Sequence, residues 1–338
     1  METEHAARIT SSEMSGLWGT YLKDGSTICL LKHHLQHVDD PAIQDILEYS
    51  LRTTERRLVQ LERFFKEENW PLPIGFSDED VDLNAPRLFT DPFKLYYLHH
   101  LGMLGLNVHS LSVSLAARPD LYGFFTGRLH DFNRLHKRAT NLLLEKGLYV
   151  RSPSIPIPDG SESISGKDFL GQWFSDNRPL TSLEIANLHA NVQRNYIGQL
   201  VMTGFAQTVS NEKIRSYMKR GKEIAKKHVE VFSSILNQDD LPASVFADEG
   251  VTESTESPFS DKLLMFMTST LNGLGLGFYG SAIATSLRKD LAVAYGRLSA
   301  EITKYASDGI KIMIDNHWFE QPPTAPDRDR LMKSGKTY

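Results

Sequence analysis

The chain repeats itself. Thr10-Ser11-Ser12-Glu13 precedes one long amphipathic stretch, and Thr181-Ser182-Leu183-Glu184 precedes another 171 positions later. At that offset Val38 matches Val209, Ile43 matches Ile214 and Pro71 matches Pro242. After a one-residue slip, Phe89-Thr90-Asp91 matches Phe259-Ser260-Asp261, Arg118 matches Arg288 and Asp120 matches Asp290. An internal duplication is the strongest constraint a single sequence can place on architecture, because both halves must satisfy one fold.

Each copy reads as four helices. A capping box at Thr10 and Glu13 opens the first, Asp39-Asp40-Pro41 separates it from the second, Asp91-Pro92 opens the third, and Arg118-Pro119-Asp120 separates that from the fourth. Gly147 suits a left-handed C-terminal cap. The second copy repeats the plan near 181–209, 211–237, 260–287 and 289–316. Heptad stripes support it: Leu121, Phe125, Phe132, Leu135, Ala139 and Leu142 share one face of the fourth helix. The first and last helix pairs connect in a few residues, whereas the middle link needs about twenty, enough to reach about 66 Å when extended and so to travel the length of a helix of about 39 Å. The expected fold is all-α: a tandem pair of ferritin-like four-helix bundles, each with a long crossover between its second and third helices. The expected domains are 9–150 and 180–322, joined by a linker at 151–179 in which Phe169, Trp173 and Phe174 dock on a bundle, with a Pro-rich, disordered tail at 323–338.

Composition removes several function classes. The net charge of -5 offers no basic field to a nucleic acid or an anionic membrane. The single cysteine, Cys29, precludes an intramolecular disulfide and fits a reducing cytoplasm. The first nine residues lack the apolar core of a secretory signal. The uncharged stretches 95–117 and 263–287 are long enough to span a bilayer, but His99, His100, Asn107, His109 and Asn272 fit them better to buried helices.

The same helices lack the parts of a di-iron centre, which takes one carboxylate from each of two helices and a Glu-x-x-His pair from each of the others. The third helix has no interior acid in either copy, and only Glu2 and His5 have the paired spacing. No cofactor is therefore expected. An alternative site in the second half would use Asn195, Glu223, His228 and Tyr279, against the plainer reading of His228 as a buried histidine with one hydrogen bond. Asp24 and Arg128 interrupt apolar stripes and read as a buried ion pair that fixes helix register. His33 and His37 lie one helical turn apart and read as part of a solvated face. Lys213, Arg215, Lys219, Arg220, Lys222, Lys226 and Lys227 make the helix at 213–227 basic, either as a solvated face or as the docking face of an acidic partner. Glycines inside the third helices, Gly105 and Gly275 above all, predict that these two helices cross closely between the bundles.

Three longer strings carry a resemblance. GFSDEDVDLNAPRLFTDPF, GLYVRSPSIPIP and IDNHWFEQPP resemble the duplicated proteins of endospore-forming bacilli grouped as domain of unknown function 3231, over about residues 9 to 328. The resemblance implies a ferritin-like four-helix bundle in each half, distantly related to spore coat protein F, with no established activity and an association with sporulation or stress physiology. The expected protein is then a non-enzymatic structural or interaction protein with an unidentified protein partner, cytoplasmic or spore-associated; the alternative is a divergent metal-binding or oxidoreductase bundle. The resemblance supplies no catalytic residues, and where this chain has Arg57 the family's first repeat tends to have His.

Overall fold

The computed structural model describes residues 7–161, 163–164, 166–170, 178–246 and 250–334. Trp173, Phe174, Glu2 and His5 lie outside them. The described residues are all-helical with a two-repeat layout. The first half contains α1 (Ser11–Gln36), α2 (Pro41–Glu67), α3 (Asp91–Leu115) and α4 (Pro119–Glu145); the second contains α5 (Ser182–Thr208), α6 (Glu212–Gln238), α7 (Asp261–Thr285) and α8 (Lys289–Asp315). A short helix, α9 (Arg328–Ser334), occupies the stretch read from sequence as a structureless tail. In the linker, Phe169 is held by Arg178, whose guanidinium lies 4.2 Å from the ring centroid.

Helix ends follow local chemistry. Thr10 and Glu13 form the capping box of α1, and Thr181 and Glu184 that of α5. Glu13 also accepts the N–H groups of Ala117 and Arg118 at the start of α4, at 3.0 and 2.9 Å, and Glu184 does the same for Leu287 and Arg288 at the start of α8. One carboxylate thus satisfies free donors at two helix N-termini, where the helix dipoles favour negative charge. Thr90, rather than Asp91, caps α3; Asp91 instead accepts the N–H groups of Asp39 and Asp40. Gly147 closes α4 at φ +67, and His317 takes the matching left-handed position after α8 at φ +58.

Within a half, α1 packs on α2 and α3, and α4 packs on α3 and α2; in the second half α5 packs on α6 and α7, and α8 packs on α7 and α6. Glu13 meets the start of α4 and Asp24 meets Arg128, so α1 and α4 run parallel.

The crossovers of the two halves pair with each other and with the long helices of the opposite half. Val81 bridges Phe259 and Phe89 bridges Val251, both antiparallel. Because 81 corresponds to 251 and 89 to 259 in the duplication, the two bridges are images of each other about a pseudo-twofold axis. The Tyr96–Phe246 stack, with centroids 3.8 Å apart, and the Phe76–Phe266 pair at 4.8 Å are related in the same way. One continuous apolar core runs through this junction.

This arrangement corrects two sequence expectations. The densely packed helix pairs all lie within a half, so Gly105 and Gly275 do not mark a crossing of α3 on α7. A methyl group on Gly105 would strike the Phe132 ring of α4, and one on Gly102 would lie 2.7 Å from the His136 backbone; the small residues admit the neighbouring helix of the same half. Gly275 faces Ile302 of α8 with room to spare, at 3.9 Å. His33 is 1% exposed, under the crossover with Phe259 against its ring, so it belongs to no solvated face. The crossover covers a side that a helical wheel alone leaves open.

Candidate functional site

Asp24 sits midway along α1 and Arg128 just beyond the first third of α4, both at most 3% exposed. The Arg128 guanidinium donates to both carboxylate oxygens, Nη1 to Oδ2 at 2.7 Å and Nη2 to Oδ1 at 2.6 Å. Burial pushes the Asp24 carboxyl up, and the adjacent guanidinium opposes that push. Arg128 Nε also donates to His109 Nε2 at 3.0 Å. Arginine can only donate, so Nε2 accepts and the imidazole proton lies on Nδ1. Burial, followed by the charge of Arg128, lowers the His109 pKa to about 2. Behind this trio Arg57 of α2 donates to Asp131 of α4 at 2.7 Å.

The second half builds a different layer at the same positions. Asn195 replaces Asp24, His228 replaces Arg57, Tyr279 replaces His109, Glu301 replaces Asp131, and Leu298 replaces Arg128. Asn195 Nδ2 donates to the Tyr279 hydroxyl at 2.8 Å; that hydroxyl lies 2.9 Å from His228 Nδ1, and His228 Nε2 lies 3.0 Å from Glu301 Oε2. Lys227 holds the outer side of Glu301 at 2.9 Å. Burial lowers the His228 pKa despite the carboxylate, so the ring is neutral, donating through Nε2 and accepting from the tyrosine at Nδ1. Both ring nitrogens are therefore engaged, against the single bond of the plainer sequence reading.

Asn195, His228 and Tyr279 come together, but Glu223 does not. It is exposed, five residues before His228, which on a helix of 3.6 residues per turn points about 140° away. The carboxylate comes from α8, as Glu301. Sequence reasoning missed it, although the register of the duplication links Glu301 to Asp131. Among the described residues no group of three or more His, Cys, Asp or Glu side chains is placed to hold a metal ion.

The two polar layers line one cavity of about 240 Å³ between the halves. The surface of its walls is mostly apolar, including Leu101, Leu104 and Val108 of α3 and Leu271, Leu274 and Phe278 of α7. Two cations also line it, Lys23 of α1 and its duplicate Arg194 of α5. Arg194 stacks on Phe278, 3.6 Å from the ring centroid, and Nη1 donates to Asn191 at 3.2 Å. Burial lowers its pKa to about 10. The basic side chains of α6 behave differently: Lys213 pairs with Asp315, Arg215 with Glu212, Arg220 with Asp308 and Lys227 with Glu301, so neighbouring acids offset much of that face.

No helix among the described residues is long and apolar enough to cross a membrane. Among curated proteins, none matches the chain. Among solved structures, the chain is similar to a "putative spore coat protein" from Bacillus halodurans C-125, at 18% identity and a TM-score of 0.38, covering 46% of this chain and 98% of that one. Two successive segments, residues 2–160 and 168–331, match the family described as "protein of unknown function (DUF3231)". The repeat in the sequence, the paired crossovers and the corresponding polar layers are thus two copies of one family unit, and the chain belongs to the DUF3231 family.

Proposed function

We propose that the protein is a non-enzymatic structural or interaction protein, a tandem of ferritin-like four-helix bundles that serves sporulation or stress physiology. The observation that carries this reading is the Asp24–Arg128 pair at the centre of the first half. A ferritin-like oxidoreductase concentrates carboxylates there to hold two cations. Here a permanent guanidinium takes the central place, and two unit charges of like sign 4 Å apart repel by about 4 kcal/mol at an effective dielectric near 20, about twice that for a divalent ion. The parallel course of α1 and α4 and the long crossovers support the ferritin-like assignment. The link to sporulation rests on the resemblance to spore coat protein F. Elemental analysis of untagged protein, with an assay of iron-dependent oxygen consumption, tests the proposal. Two metal ions per half with oxidase turnover would overturn it.

A second reading has one observation in its favour, the convergence of Asn195, His228, Tyr279 and Glu301. A single metal ion there would displace the tyrosine or the carboxylate from the imidazole. Calorimetric titration with zinc or manganese, repeated on His228→Ala, distinguishes it: stoichiometric binding by the parent chain alone favours this site.

A further inference from the structure

We propose that the cavity between the halves is a binding site for a long-chain carboxylate, with its head on Arg194 and its chain between α3 and α7. The walls set the shape. Lining residues run from Tyr97 to His109 on α3 and from Met267 to Tyr279 on α7, so the space extends about 18 Å along the helices at 1.5 Å per residue. An elongated space of about 240 Å³ with mostly apolar walls suits an acyl chain better than a compact polar metabolite.

The polar groups set the sign of the head. Lys23 and Arg194 form no ion pair with a carboxylate among the described residues, and Asp24, the acid lining the cavity, is committed to Arg128. Arg194 Nε is buried without a partner, and so is His109 Nδ1, the nitrogen that carries the proton. Both are donors. Nη1 of Arg194 donates to Asn191 and Nη2 to Met103 Sδ at 3.7 Å, but no carboxylate among the described residues balances the charge, and a buried donor without an acceptor is costly unless an occupant supplies the oxygens. A carboxylate at Arg194 meets that need there, since it accepts two hydrogen bonds from one guanidinium. Phe278 beneath the Arg194 plane fixes the fork in place. The inference goes beyond the proposed function and stands whether or not the protein serves the spore.

The test uses the full chain and cis-parinaric acid, a fluorescent fatty acid, displaced in turn by palmitate and by hexadecanol. The expected result is saturable binding of one probe per chain, with palmitate displacing it at least about tenfold better than the alcohol, because hydrogen bonds between ionised partners are stronger than those of a neutral hydroxyl. Arg194→Gln should weaken palmitate binding by a similar factor and leave hexadecanol unchanged. Leu104→Phe with Leu271→Phe fills the chain site and should abolish binding while the helical content by circular dichroism is retained. Equal displacement by acid and alcohol, binding untouched by the filling variant, or no saturable binding by the parent chain would each overturn the proposal.

Discussion

Arg128 donates two hydrogen bonds to Asp24 from the far side of the first half, and neither side chain reaches water. Their positions are 104 residues apart in the sequence and meet because α1 and α4 run parallel. Removing one partner strands the other. Arg128→Met should cost about 3–5 kcal/mol, and adding Asp24→Leu should restore much of it. Urea denaturation of the single and double variants checks this; strictly additive losses would refute the coupling.

The shared carboxylate at the helix starts gives a second test. Glu184 is 0% exposed, accepts from Thr181, Leu287, Arg288 and Arg178, and its pKa is lowered to about 2: burial raises it, but those hydrogen bonds outweigh burial. Glu184→Ala leaves several backbone donors unpaired and should lower stability by about 3 kcal/mol. Leu183→Ala, at a half-exposed neighbouring position, should cost under about 1 kcal/mol by the same measurement.

Acid should unfold the protein in two stages. Burial is the largest cause that lowers the pKa of His33 and His99 to about 4 and that of His100 to about 3, whereas the unfolded chain takes up protons near 6.5. Stability is therefore full above 6.5 and falls from there towards the folded values, by about 1.4 kcal/mol per pH unit for each histidine. Glu13 and Glu184, lowered to about 2, lose their contribution only between about 4.5 and 2. Melting temperatures measured from pH 8 to pH 3 should decline first below 6.5; a flat profile between 6.5 and 4.5 would contradict the histidine burial.

Glycines in equivalent helices should respond oppositely. Gly105→Ala drives a methyl group into Phe132 and should destabilise by about 1–3 kcal/mol, whereas Gly275→Ala meets only an ordinary contact with Ile302 and should gain up to about 1 kcal/mol of helix propensity. Thermal melts of the two variants decide it. Similar losses at both sites would mean that α7 is more tightly packed than its distances indicate.

The junction between halves should control cooperativity. Phe246→Ala removes the ring stacked on Tyr96 across the pseudo-twofold, whereas Phe232→Ala empties a core confined to the second half. Both should cost about 3–5 kcal/mol. Scanning calorimetry should show two transitions for the first variant and one lowered transition for the second; a single transition in both would place the coupling elsewhere.

Much of this architecture is written in local sequence. Thr10 with Glu13, Pro41, Pro119 and Gly147 place helix boundaries within a residue or two, because caps and breakers act through neighbouring backbone groups. The repeat shows that there are two copies, and the interruptions of apolar stripes single out Asp24, Arg128, Asn195 and His228. Tertiary structure decided what those signals leave open. Periodicity says which face of a helix is apolar, but not which helix covers it, so Gly105 reads in sequence as an interface between bundles, whereas in the fold Gly102 and Gly105 receive α4. Glu223 and Glu301 are equally polar in sequence, and only the rotation of α8 brings Glu301 to His228. The pairing of the crossovers and the cavity between the polar layers depend on contacts between residues about 170 apart, for which no local propensity exists.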